Sequence, residues 1–185
     1  MGSSRRSLEE VLLAAQRAGT LGRRPISEVI EHARHFVRAI PSDARSVIDI
    51  GSGAGIPGLV VASDLPDVRV TMVDRRATRM DSLTRAVESM GMGTRVRVFT
   101  ADAEDLGKTP EFAEQFDVAV CRGLGTPPYT AAVARPFLAR DGALIVSEPP
   151  ETGISRWPSD VLTQWGLSRP ERRGSVVVLH VDGDF

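Results

Sequence analysis

Asp49-Ile50-Gly51-Ser52-Gly53-Ala54-Gly55-Ile56-Pro57-Gly58 lies between the short apolar run Ser46–Ile50 and a second apolar run, Gly58–Ser63. A buried strand that passes through closely spaced glycines into a helix has the form of the first βα turn of a doubly wound sheet, where such sheets bind nucleotides. Glycine lets the backbone turn sharply and approach a ligand closely. A glycine pattern alone is a weak signal, and two carboxylates sharpen it. Asp49 ends the strand just before the glycines, where it suits a ligand with a cationic amino-acid end and repels a pyrophosphate. Asp74 ends the next apolar run, 25 residues further on, where an acid accepts both hydroxyls of a ribose. Arg75 follows it directly.

Ala101-Asp102-Ala103-Glu104 follows the third strand-like run. Acids there can accept from an adenine amino group, and backbone groups can cradle the ring. Three elements at three successive strand ends converge on one crevice, and their chemistry fits S-adenosylmethionine better than a dinucleotide. The expected cofactor set is Asp49, Gly51, Ser52, Gly53, Gly55, Pro57, Gly58, Asp74, Arg75, Asp102, Ala103, Glu104 and Arg122. The competing reading makes Asp74 a helix N-cap and the glycines a plain tight turn.

Outward from this turn, strands and helices alternate. Strands are expected at Val68–Val73, Arg95–Thr100, Phe116–Cys121, Ala143–Ser147 and Ser175–Val181. Helices are expected at Thr78–Met90 and Pro128–Leu138, with a short one at Val161–Trp165. Such alternation predicts an α/β fold with a mostly parallel sheet covered on both faces. Upstream, Leu8, Val11, Leu12 and Ala15 recur at helical spacing, as do Ile26, Val29, Ile30, Ala33, Phe36, Val37 and Ile40. Gly19–Arg24 breaks the two helices, Pro25 suits the first turn of the second, and Pro41-Ser42-Asp43 ends it. The expectation is one domain over residues 1–185, with 1–42 as an N-terminal helical region.

Composition narrows the classes. With 185 residues, 42% hydrophobic and 25% charged, the chain is ordinary for one globular domain. There is no apolar run of membrane-spanning length and no secretory h-region near Met1–Arg6, so a cytoplasmic protein without a membrane partner is expected. Cys121 is the only cysteine, which excludes an intrachain disulfide. The net charge of -1 gives no global basic field for nucleic acid, but residues 1–45 hold eight arginines against five acids. That face can touch phosphates, or it can be a solvated helical surface.

The loop Gly51-Ser52-Gly53-Ala54-Gly55-Ile56-Pro57-Gly58, with its unusual Pro57-Gly58, resembles the GSGAG(F/L)PG loop of the RsmG (GidB) family, which methylates N7 of a guanine in small-subunit ribosomal RNA. Val73-Asp74, Arg79, Ala103-Glu104 and Cys121-Arg122-Gly123 continue the resemblance over about residues 45–147. It implies a class I, Rossmann-like methyltransferase fold with a seven-stranded sheet, S-adenosylmethionine as cofactor, and ribosomal RNA or the small ribosomal subunit as partner. The chain departs from the pattern at several places. Thr78 replaces a lysine, Asp102 replaces an arginine, Ser147-Glu148-Pro149-Pro150 stands where the family has Lys-Gly, and Val29–Arg34 lacks the family's Asp-Ser. A small-molecule acceptor, or a non-catalytic cofactor-binding role beside a partner, is the alternative these changes allow.

Arg122 follows the fourth strand, whose carboxyl end faces the crevice. It is the candidate for positioning the substrate, holding a phosphate or a base edge; a structural ion pair is the competing reading. Cys121 is a nucleophile in one reading and a small buried thiol in the other. Tyr129, in the loop Gly123–Tyr129, is placed to stack on a flat acceptor. Glu148-Pro149-Pro150 reads as a carboxylate near the acceptor or as a rigid strand exit. His32, His35 and His180 form no metal-ligand spacing, and Trp157 and Trp165 read as packing a lid or the far sheet edge.

Overall fold

The structure, a computed structural model, describes residues 5–150 and 155–183. Its centre is a seven-stranded sheet. In chain order the strands are β1 (Ser46–Ile50), β2 (Arg69–Asp74), β3 (Val96–Thr100), β4 (Phe116–Cys121), β5 (Leu138–Ser147), β6 (Glu171–Arg173) and β7 (Val176–His180). In space they run β3-β2-β1-β4-β5-β7-β6. The first five are parallel, and β7 is antiparallel to both β5 and β6.

Apolar residues fill both sides of the central strands because both faces are covered. Val47, Val70, Met72, Val118 and Ile145 pack on one face beneath α1 (Leu8–Arg17), α2 (Ile26–Ala39), α3 (Gly58–Asp64) and α4 (Ala77–Ser89). Ile48, Ile50, Val73, Ala119 and Leu144 face the other way. There they meet α5 (Ala103–Leu106), α6 (Pro127–Ala134) and α7 (Ser159–Gln164), with Phe137, Trp157 and Trp165. The tryptophans thus flank α7 within that layer.

The amphipathic stripes explain the N-terminal helices. Leu8, Val11 and Leu12 form the buried side of α1, and Ile26, Val29, Ile30, Ala33 and Phe36 that of α2. Helix α1 starts with a reciprocal cap: Glu10 N donates to Ser7 Oγ at 3.2 Å, and Ser7 N donates to Glu10 Oε2 at 2.7 Å. That satisfies two amides that a bare helix end leaves free.

Local structure differs from the sequence reading at five places. Pro25 occupies the cap position of α2, just outside its first turn. Pro128–Leu138 is not one helix: α6 stops at Ala134 and a 3-10 turn spans Arg135–Phe137. Pro136 lacks an amide hydrogen and disfavours helical geometry before it. Strand β5 then begins at Leu138, five residues earlier than the apolar run suggests, pairing Leu138 with Phe116 before the register shifts. Strand β6 was not anticipated, since Glu171-Arg172-Arg173 is exposed and wholly charged, as suits a short edge strand. Finally, a single helical turn, α5, follows β3, with Asp102 as its cap.

Candidate functional site

The turn after β1 is tied to the end of β2. Gly51 N and Ser52 N both donate to Val73 O, at 2.8 and 3.1 Å. Ser52 Oγ donates to Asp49 O at 2.8 Å and accepts from Val73 N at 3.0 Å. This lacing brings Asp74 to the turn, where its Oδ2 accepts from Gly53 N at 3.1 Å and its Oδ1 from Arg76 N at 3.0 Å. Arg76, not Asp74, holds the cap position of α4. Two glycines have no substitute here. Gly55 has φ +91°, and a Cβ on it would lie 2.6 Å from Leu59 Cδ1. A Cβ on Gly58 would lie 2.6 Å from Asp49 Oδ2. The Ile56–Pro57 peptide between them is cis.

Above these strand ends lies a cleft of about 370 Å³, within the range of small-molecule sites. Gly51, Ser52 and Gly53 line it from the turn, Asp74 and Arg75 from the end of β2, Asp102 and Ala103 from beyond β3, and Arg122 from beyond β4. The other predicted residues do not reach its wall. Asp49, Gly55, Pro57 and Gly58 stand behind the turn and shape it, and Glu104 stands just beyond Ala103. Asp102 also caps α5, accepting from Glu104 N at 2.9 Å. The sequence reading missed Arg76 and the α1–α2 connection Thr20-Leu21-Gly22, which line the same cleft, as does Arg79, named above only as part of the resemblance. A break between two helices carries no signal of where it folds back.

Tyr129 stands in the first turn of α6 and lines the same cleft as Asp102 and Ala103, half exposed. The neighbouring Glu104 carboxylate raises the pKa of its phenol.

Charge in the site is set by burial. Asp49 is 1% exposed. Its Oδ2 accepts from Gly58 N at 2.8 Å, and its Oδ1 has no hydrogen-bond partner among the described residues. Desolvation pushes its pKa from 3.8 up to about 7, against the pull of Gly58 N, the Arg122 charge and Ser52. Arg122 makes no ion pair among the described residues; its Nε donates to Ile56 O at 3.2 Å. Burial lowers its pKa, and the charge of Asp49 partly offsets that. Cys121 is fully buried, and desolvation pushes its thiol well above the ordinary range, so it is inert packing.

A second cavity of about 370 Å³ adjoins the first, sharing Gly123 and Leu124 as a common wall. Gly123 N donates to Ser147 Oγ at 3.3 Å, which ties the exits of β4 and β5 together at this boundary. His32 of α2 faces the second cavity; burial, with the charges of Arg122, His35 and Arg24, lowers its pKa and keeps it neutral at pH 7.

The strand order, the antiparallel β7 and a ligand-sized cleft over the ends of β1–β4 define a class I methyltransferase fold. Solved structures share it: a putative caffeoyl-CoA O-methyltransferase from Staphylococcus aureus superposes with a TM-score of 0.64 at 15% identity, covering 95% of this chain and 92% of that one. A putative O-methyltransferase from Klebsiella pneumoniae gives 0.63 at 16% identity, covering 94% and 88%. Residues 8–148 match the family model described as rRNA small subunit methyltransferase G, and the chain belongs to that family. Ribosomal RNA small subunit methyltransferase G of Prochlorococcus marinus (strain NATL2A) is 30% identical over 122 residues, 66% of this chain and 46% of that protein. The protein of the same name from Synechococcus sp. (strain CC9311) is 36% identical over 106 residues, 57% of this chain and 42% of that protein. The chain thus spans less than half the length of these curated relatives. Family and fold together imply use of S-adenosylmethionine.

Proposed function

We propose that the chain is an S-adenosylmethionine-dependent methyltransferase that acts on N7 of a guanine in small-subunit ribosomal RNA. The observation that carries the reading is the cleft over four successive strand ends, walled by a loop that bears the family's Pro-Gly. The residues present fit the cofactor. Asp74 accepts one amide on each oxygen and keeps lone pairs on both for ribose hydroxyls. Asp49 holds an unmet acceptor behind the glycine turn, which suits a nearby ammonium group. Asp102, Ala103 and Tyr129 bound the far end of the cleft, where a flat ring fits.

S-adenosylmethionine, when bound, supplies a methyl group activated by its own sulfonium charge. The protein therefore has only to hold and align. Guanine N7 carries a free lone pair in the neutral base, so no side chain has to remove a proton before transfer. Arg122, on the wall of the cleft beside Gly123 and Leu124, is the positioning residue for the acceptor, and its guanidinium offers donors to a phosphate or a base edge. In this reading the chain acts as one methyltransferase domain in the cytoplasm. No helix among the described residues is long and apolar enough to cross a membrane.

The test is transfer of a radiolabelled methyl group to undermethylated small ribosomal subunits and to their naked RNA. Incorporation that maps to a guanine N7 supports the reading. No incorporation, by protein that still binds the cofactor, refutes it and points to a small-molecule acceptor or a non-catalytic role.

A further inference from the structure

Two residues on the wall of the second cavity each carry a buried polar atom with no hydrogen-bond partner among the described residues. Glu148, at the exit of β5, has a side chain only 7% exposed, and its backbone is pinned by Glu148 N donating to Ser175 O at 2.9 Å. Its Oε1 faces Arg156 at 3.5 Å, longer than a well-formed charged hydrogen bond. Its Oε2 has no partner among the described residues. Trp157 is 4% exposed, and its indole N–H has no partner either. Both residues line the same cavity. Buried polar groups are nearly always satisfied, and one that is not signals a missing partner.

The unmet groups specify their ligand. A carboxylate needs donors and an indole N–H needs an acceptor. An ammonium ligand brings donors only, and an anion brings acceptors only and is repelled by Glu148. A neutral nucleobase edge brings both. Among such edges, guanine sets two adjacent donors, N1–H and the 2-amino group, beside the O6 acceptor, which suits the two oxygens of a carboxylate with an N–H donor nearby. Arg24 and Arg156 at the same cavity match the phosphates of a nucleotide and disfavour a cation. Arg156 has 43% of its side chain exposed, so a ligand's donors can displace it from Glu148 at little cost.

We infer that this cavity is a guanine pocket in which Glu148 reads the N1–H and 2-amino edge and Trp157 donates to O6. The inference rests on the proposed function. It assigns base recognition to Glu148 and Trp157.

The test uses the full chain carrying Trp165→Phe, which leaves Trp157 as its one tryptophan. Trp157 emission is titrated with guanosine, inosine and adenosine 5′-monophosphates and with spermidine. Guanosine monophosphate is expected to bind roughly tenfold or more tightly than inosine monophosphate, which lacks the 2-amino group, because a site built for a donor rejects the analogue without it. Glu148→Gln is expected to bring the two within about twofold of each other. Equal binding of the two nucleotides by the unsubstituted pocket, a preference for spermidine, or no response to any ligand overturns the inference, and none of these readouts needs the Glu148 variant to fold. Guanine preference without methyl transfer to ribosomal RNA keeps the pocket and refutes the proposed function. Methyl transfer to guanine N7 that Glu148→Gln leaves untouched does the reverse.

Discussion

Replacing Asp49 with asparagine separates what this residue does for folding from what it does for the ligand. Asp49 is wholly buried, and its pKa rises from 3.8 to about 7. The folded chain therefore holds this proton more tightly than the unfolded chain does. Stability is unpenalised below about pH 4, falls as pH rises towards about 7, and levels off above that. At about 1.4 kcal/mol per pH unit the full penalty is on the order of 4 kcal/mol, a ceiling set by complete burial. Asparagine is nearly isosteric, keeps an acceptor for Gly58 N and carries no charge to desolvate. It forfeits the charge-assisted strength of that bond, so a net gain of about 2 kcal/mol is expected at about pH 8, shrinking to nearly nothing at about pH 4. Urea unfolding across this range measures it. The same change should weaken S-adenosylmethionine binding by roughly tenfold at the upper end, because the cation loses its counter-charge. A stability difference independent of pH, or an asparagine variant less stable at high pH, would refute the account of the buried carboxyl.

Three further outcomes follow from the geometry. Asp74→Ala should cost roughly tenfold to a hundredfold in cofactor affinity by calorimetric titration while leaving the fold intact, since Gly53 N and Arg76 N border an open cleft that water can enter. Gly58→Ala puts a methyl group 2.6 Å from Asp49 Oδ2 and 2.9 Å from Met72 Cε; a loss of roughly 1–3 kcal/mol in thermal or urea unfolding is expected. Ser7→Ala breaks the reciprocal cap of α1 and should cost about 1 kcal/mol, read in the same unfolding assay.

What the sequence disclosed depended on how local each signal was. The β1 turn was legible because apolar strand, glycines and flanking acids are contiguous, and strands β1 and β4 match their apolar runs residue for residue. The ends of β2, β3 and β7 shift by a residue or two, as fraying termini do. Strand β6 escaped because an edge strand needs no apolar face, and its charged residues look like loop. The early start of β5 escaped because Arg140-Asp141-Gly142 interrupts the apolar pattern even though the backbone stays extended. At the site, residues on the cleft wall were legible where they sit at strand ends. Thr20-Leu21-Gly22 and the meeting of Glu148 and Trp157 at one cavity were not, because only tertiary packing brings them there.

The place of β7 bears on how the chain is made. It follows β6 in sequence, yet it lies between β5 and β6 rather than at a rim. A nascent polypeptide emerging from the ribosome can assemble β1 to β5 as it appears, but the charged ribbon of β6 has nothing to pair with until residues 176–180 are out. Until then the outer side of β5 is an open template rich in Ala143, Leu144, Ile145 and Val146. The interval between synthesis of β5 and release of β7 is thus the window in which a half-made chain is most exposed to wrong partners and has most need of a chaperone.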